Sequence, residues 1–193
     1  MKSSQEKNNT VVQIILFNKP FQVLSQFTDS KNRSHLGDFI DQADFYPAGR
    51  LDYDSEGLMI LTSHGPTQHL ISSQSITKTY LIQVEGRPQA LQLAQLRGGV
   101  KVKDYVAKAT NVELLANKPE WVWKRNPPIR SRKNSPTSWL VLSINQGKNR
   151  QVRRMSAAVG LPVLRLIRTQ IGEFKLDGLT PSAWQFEYFR SNE

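Results

Sequence analysis

The chain has 193 residues, 22.0 kDa, 38% of them hydrophobic and 22% charged, enough for one domain with a sizeable core, and its longest apolar runs (Val11 to Phe17, Gly57 to Leu61) fall far below the roughly 20 residues a bilayer crossing needs. It has no cysteine, which excludes disulfides, thiolate zinc sites, cysteine nucleophiles and the uridine methylation that begins with cysteine attack. Lysine and arginine number 26 against 16 acids, for a net charge of +10 and a pI near 10.0, which points to a polyanionic partner.

Residues 1–10 are polar and lack the apolar core of a secretory signal, so a disordered tail is expected ahead of a single cytoplasmic domain over residues 11–190. Val11 to Phe17 reads as a strand, Asn18-Lys19-Pro20 as a turn, and Phe21 to Phe27, with Phe21, Val23 and Phe27 alternating, as a second strand. Ser34 to Ile40 predicts a short helix, Gly57 to Thr62 a strand, Pro66 to Ile71 a helix and Thr77 to Glu85 a strand. Pro88 to Arg97 predicts a helix with Pro88 in its first turn and Gly98 as its stop, and Val100 to Leu115 returns to strand. Residues 117–137 have neither period; their prolines, with Trp121 and Trp123, mark a long insert before the strand Trp139 to Ile144. In the helix expected over Asn149 to Val159, Val152, Met155 and Val159 share one face and Arg150, Arg153 and Arg154 the other, before Gly160 stops it. Strands and short helices without strict βαβ alternation predict an α+β fold around a mostly antiparallel sheet.

The positive charge is unevenly placed. Lys118 to Lys133 carries six cations against Glu120 alone, and Gly147 to Arg168 carries six against no acid; the remainder holds 14 basic and 15 acidic residues. An excess confined to two segments is what a nucleic-acid surface requires. An anionic membrane surface is the competing reading, weakened by the lack of a long basic amphipathic helix.

Chemistry concentrates in Gly49-Arg50-Leu51-Asp52-Tyr53-Asp54-Ser55-Glu56-Gly57-Leu58, where a glycine-edged turn presents three carboxylates between apolar runs. A surface turn with solvated acids is the bland alternative. Asp52-x-Asp54 also fits a magnesium-dependent phosphatase, although Gly49 and Arg50 interrupt the apolar strand that should lead into it. Gly147-Lys148 lacks the glycine and hydroxyl of a P-loop, no Gly-x-Gly-x-x-Gly occurs, and His35, His64 and His69 lack zinc spacing.

Gly49-Arg50-Leu51-Asp52-x-x-Ser55-Glu56-Gly57-Leu58 resembles the signature of the RsuA-type pseudouridine synthases. Lys78-Thr79-Tyr80-Leu81-Ile82 is similar to the family's second motif, and Gly147-Lys148-Asn149-Arg150-Gln151-Val152-Arg153-Arg154-Met155 to its third. The insert, with Glu120-Trp121-Val122-Trp123-Lys124-Arg125, resembles the RluE-type branch, which modifies 23S ribosomal RNA. That resemblance implies two similar halves of one central sheet with the active cleft across it, no cofactor and no metal. It implies Asp52 as nucleophile or base, Tyr80 stacked on the uracil and Arg153 as the cation paired to Asp52. Arg50, Lys148, Arg150 and Arg154, with Arg125, Arg130 and Arg132 of the insert, are expected to contact RNA. Many members carry an N-terminal S4 RNA-binding domain; none is expected before Val11, so docking falls to the catalytic domain, acting as a monomer. A non-catalytic ribosomal RNA-binding protein of the same fold is the alternative from another class.

Overall fold

The computed structural model of the chain describes residues 9–129 and 135–192. Strand β1 (Asn9–Lys19) runs through Ile14, Ile15, Leu16 and Phe17, all buried, so both faces are covered, as a near-continuous apolar run implies. A single 3-10 turn (Leu36–Asp38) and β2 (Tyr46–Pro47) precede β3 (Glu56–Thr62), which is buried at every position. Helix α1 (Gly65–Ser72) follows; the His64 ring caps it, accepting from the Thr67 amide, which gives one of the three histidines a structural task. Then come β4 (Lys78–Glu85), α2 (Ala90–Gly98), β5 (Val100–Val102), β6 (Tyr105–Ala107) and β7 (Asn111–Leu115). Beyond the insert lie β8 (Thr137–Ile144), α3 (Gln151–Ala158), β9 (Val163–Ile171), β10 (Phe174–Lys175) and β11 (Trp184–Asn192). Among the described residues, no helix is long and apolar enough to cross a membrane.

The main sheet runs β11-β1-β3-β9-β4-β8-β7, with β2 and β10 attached to β3 and β9. Along this path every pairing is antiparallel except β3 with β9, which sets Glu56 opposite Ile167 and Gly57 opposite Arg168. This parallel seam lies between β11-β1-β3 and β9-β4-β8-β7, and it requires a glycine: Gly57 has φ +105°, and a Cβ there would stand 2.3 Å from the Arg168 carbonyl oxygen. One face of the sheet packs on Leu36, Leu96, Val102, Val152 and Met155 from the 3-10 turn, α2, β5 and α3. The other packs on Ile71, Val122, Leu176 and Phe189.

Four expectations change. Phe21 to Phe27 is not a strand: Gln22 has φ 61°, and the segment wraps the buried Lys19 ammonium, which donates to the carbonyls of Pro20 and Val23 at 2.8 Å each. Ser34 to Ile40 forms only the one 3-10 turn, because Asp38 takes the His35 amide and the Ser34 hydroxyl and closes it early. Val100 to Leu115 splits into three strands, turning at Lys103 with φ 54°. Four strands lie outside the expected elements, the two-residue β2 and β10 and the longer β9 and β11, of which β9 lies at the centre of the sheet.

Candidate active site

The turn over residues 49–55 leads directly into β3 at the seam. Gly49 takes φ +92°. Leu51, buried beneath the turn, is held by the buried Ser25 hydroxyl, which donates to its carbonyl at 2.6 Å and accepts from its amide at 3.1 Å. The Ser55 amide donates to the Asp52 carbonyl at 3.0 Å, and the Tyr53 carbonyl accepts from Gln22 at 2.8 Å. Both ends of the turn are thus pinned while its acidic side chains stay reachable.

Those carboxylates have different partners. Glu56, 1% exposed, takes two hydrogen bonds of 2.8 Å from Arg165 and a third of 2.8 Å from the Trp123 indole. Asp54 receives a bidentate pair of 2.8 Å bonds from Arg150, with Arg153 Nε at 3.5 Å. Burial works to raise the Asp54 carboxyl, but the Arg150 hydrogen bonds and the charges of Arg153 and Arg150 outweigh it and hold it below the usual carboxylate range. Asp52 is about one-third exposed, and among the described residues no hydrogen bond reaches its carboxylate; its single ion pair is Arg150 at 3.6 Å.

The third motif faces the turn from α3. Arg150 begins the helix in a left-handed conformation, φ 51°. Arg153, one turn on, is mostly buried: Nη2 donates to the Asp54 carbonyl at 2.6 Å and the Ser55 hydroxyl at 3.2 Å, and Nη1 to the Val163 carbonyl at 3.2 Å. The structure therefore gives the ion pair with Asp52 to Arg150, while Arg153 grips the backbone of the turn. Burial lowers the Arg153 guanidinium, with Asp54 opposing.

Asp52, Tyr80 and Arg153 line one cavity of about 560 Å³, and Arg50, Lys148 and Arg150 line it too. Tyr80 is 8% exposed on β4. Arg50, Lys148 and Arg150 are exposed, with the Lys148 ammonium 4.0 Å from the Tyr105 ring centre. Arg154 is half-buried and donates to Asn149 at 2.8 Å. Arg125 lies 4.1 Å over the Phe21 ring and donates to the Pro127 carbonyl. Arg130 and Arg132 fall outside the described residues.

Among the described cations of the two basic segments, Arg165 and Arg168 turn inward. Arg165 and Arg168 are 4% and 5% exposed, so they are interior groups of β9 and not part of a solvated basic face. Arg165 holds Glu56 and also donates to the Trp123 carbonyl at 2.8 Å, while Arg168 donates to the Leu58 carbonyl at 2.7 Å. Trp123 is thereby an anchor of the insert to Glu56 at the end of the acidic turn; Trp121 stays 54% exposed. Sequence reasoning gave no role to Ser25, Lys19 or Lys78. Lys19 is fully buried, and burial, opposed by Glu56 and reinforced by Arg168, pushes its amine down to about 7.

Comparison with known proteins identifies the family. The family model for RNA pseudouridylate synthases matches residues 13–158. Ribosomal large subunit pseudouridine synthase E of Vibrio parahaemolyticus is 48% identical over 174 residues, covering 89% of this chain and 72% of its own. The protein of the same name from Xanthomonas axonopodis pv. citri is 48% identical over 172 residues, covering 87% and 90%. A crystal structure of a pseudouridylate synthase superposes with a TM-score of 0.73 at 25% identity, over 93% of this chain and 71% of that one. The chain belongs to the RNA pseudouridylate synthase family.

Proposed function

We propose that this member of the RNA pseudouridylate synthase family converts one uridine of 23S ribosomal RNA to pseudouridine, with Asp52 as the reacting carboxylate. The carrying observation is the difference among the three acids of the turn. Glu56 and Asp54 are committed to arginines, whereas Asp52 faces the cavity without a hydrogen bond among the described residues. Arg150 stands beside it at 3.6 Å. Names of relatives that act on the large ribosomal subunit support the choice of RNA.

The reaction breaks the bond between uracil N1 and ribose C1′, turns the base and joins C5 to C1′, with a proton leaving C5 and one returning to N1. It changes neither atoms nor oxidation state, so one carboxylate serves throughout and the reaction itself calls for no cofactor. Tyr80 stacks on the detached base and keeps it in the cleft. Arg153 acts by fixing the turn that carries Asp52. Arg50, Lys148 and Arg150, exposed at the rim, meet phosphates, and Arg125, Arg130, Arg132 and Arg154 extend that surface. The enzyme works as a cytoplasmic monomer. The phosphatase alternative requires Asp54 free beside a magnesium ion, and Asp54 is instead clamped by Arg150.

Tritium release from C5 of uridine-labelled large-subunit RNA tests this reading. Asp52→Asn is expected to abolish release while RNA affinity stays within about twofold, and Asp54→Asn to be milder. Normal turnover by Asp52→Asn would refute the assignment, and RNA binding without release by the wild-type protein would favour the non-catalytic alternative.

A further inference from the structure

The sheet wall of the cleft carries two cations that the mechanism above does not use. In the β4–β9 ladder Tyr80 stands directly across from Arg168, and Lys78 lies on the same face of β4 two residues away. All three line the cavity. They are 8%, 5% and 7% exposed, so a ligand that reaches them has left water. Among the described residues neither Lys78 nor Arg168 has a carboxylate partner. Lys78 donates to the Ser73 carbonyl at 2.5 Å; Arg168 donates through Nε to Leu58 and through Nη1 to the Arg50 carbonyl at 3.4 Å, and its buried Nη2 has no acceptor. Burial and the neighbouring Arg168 charge push the Lys78 amine down to about 8. This wall holds positive charge that lacks its anion.

Three features decide which anion fits. The backbone phosphates of an RNA strand stay at the rim, where Arg50, Lys148 and Arg150 are exposed. A flat base inserted over Tyr80 instead brings its carbonyl edge to the buried wall. Breaking the C1′–N1 bond also leaves its electron pair on the base, spreading negative charge onto O2 and O4 until the pair forms the new bond from C5 to C1′. Donors fixed in a water-poor site act most strongly where charge develops in this way.

We propose that Lys78 and Arg168 form an oxyanion pocket for the target uracil, receiving its carbonyl oxygens and stabilising the anion that the base becomes while detached from ribose. This assignment rests on the pseudouridine-forming reading above. It makes both residues catalytic and gives the cleft a division of labour, with Asp52 at the sugar and the two cations at the base.

The test compares single-turnover rates of wild type, Lys78→Gln and Lys78→Arg on large-subunit RNA transcripts made with uridine or with 5-fluorouridine, whose fluorine itself stabilises the detached anion; because 5-fluorouridine has no C5 proton to release, both rates are read as loss of the N1-linked nucleoside in digests of the RNA. Lys78→Gln should slow the uridine reaction about 100-fold, leave RNA affinity within about twofold, and lose about tenfold or less with 5-fluorouridine. Lys78→Arg should recover most of the rate, and its residual defect should again be the smaller with 5-fluorouridine. Should Lys78→Gln not fold, the Lys78→Arg comparison decides alone. Equal losses with both bases would assign Lys78 to packing and overturn the proposal. Lost affinity with an unchanged rate would assign it to a phosphate and overturn it equally. A wild-type protein inactive on the uridine transcript would instead refute the underlying reading.

Discussion

Neutralising Glu56 tests how the insert is tied to the acidic turn. Glu56 and Arg165 are 1% and 4% exposed, and Glu56→Gln keeps the shape while leaving Arg165 charged and buried without its partner. Breaking one side of such a pair costs about 3–5 kcal/mol. At about 2–4 °C per kcal/mol for a domain of this size, the melting temperature should fall by roughly 6–20 °C. Trp123→Phe keeps the ring and removes one hydrogen bond to the same carboxylate, a loss of about 1.5–3 kcal/mol. Because both changes act on one group, the double variant should lose less than the two single losses combined. Urea denaturation followed by circular dichroism measures all three. A Glu56→Gln protein within about 1 kcal/mol of wild type, or fully additive losses, would show that the network does not hold the insert.

Lys19 makes stability depend on pH. Its folded-state amine lies near 7 against 10.5 in the unfolded chain, so between these values the unfolded state binds more protons and stability rises with pH; the difference between wild type and Lys19→Met should follow that rise in urea titrations from pH 6 to 9, and a flat difference would refute it. Tyr80→Phe keeps the stacking ring and removes only the hydroxyl, which is expected to take the C5 proton at the end of the reaction, so RNA affinity should hold while release of that proton slows about 100-fold; a loss confined to binding would contradict this role. With Arg165 and Arg168 turned inward and Arg153 held on the turn, nine clustered cations remain for RNA, and if about half meet phosphates the slope of log K against log salt should be about −3. Neutralising Arg125, Arg130 and Arg132 together should flatten that slope by about 2, and an unchanged slope in a folded variant would remove the insert from the RNA surface.

The acidic turn beside the cavity was legible in sequence because glycines bracket a cluster of acids between apolar runs, a pattern with few structural uses. Strand β9 was not, since Arg165 and Arg168 make Val163 to Ile171 look like the end of a basic surface. Their burial depends on acceptors distant in sequence, Glu56 for one and the Leu58 carbonyl for the other. The alternation of Phe21, Val23 and Phe27 misled for a related reason. That segment bends to place the Pro20 and Val23 carbonyls on the Lys19 ammonium, and no local signal marks a lysine as buried.

Pairing also decides which groups remain for chemistry. Asp52, Asp54 and Glu56 are interchangeable as letters, and three free carboxylates in so short a turn would repel one another. Arg150 and Arg165 each satisfy one of them, which relieves the repulsion and leaves Asp52 in a net positive surrounding. The same logic applies to the donors across the cleft. Arg165 is spent on Glu56, whereas Arg168, three residues along the same strand but on the opposite face of the sheet, keeps a buried N–H without an acceptor among the described residues. A carboxylate that no described donor hydrogen-bonds and a guanidinium with an N–H to spare, bordering one cavity, are what a substrate needs if it loses a bond at its sugar and gathers charge on its base.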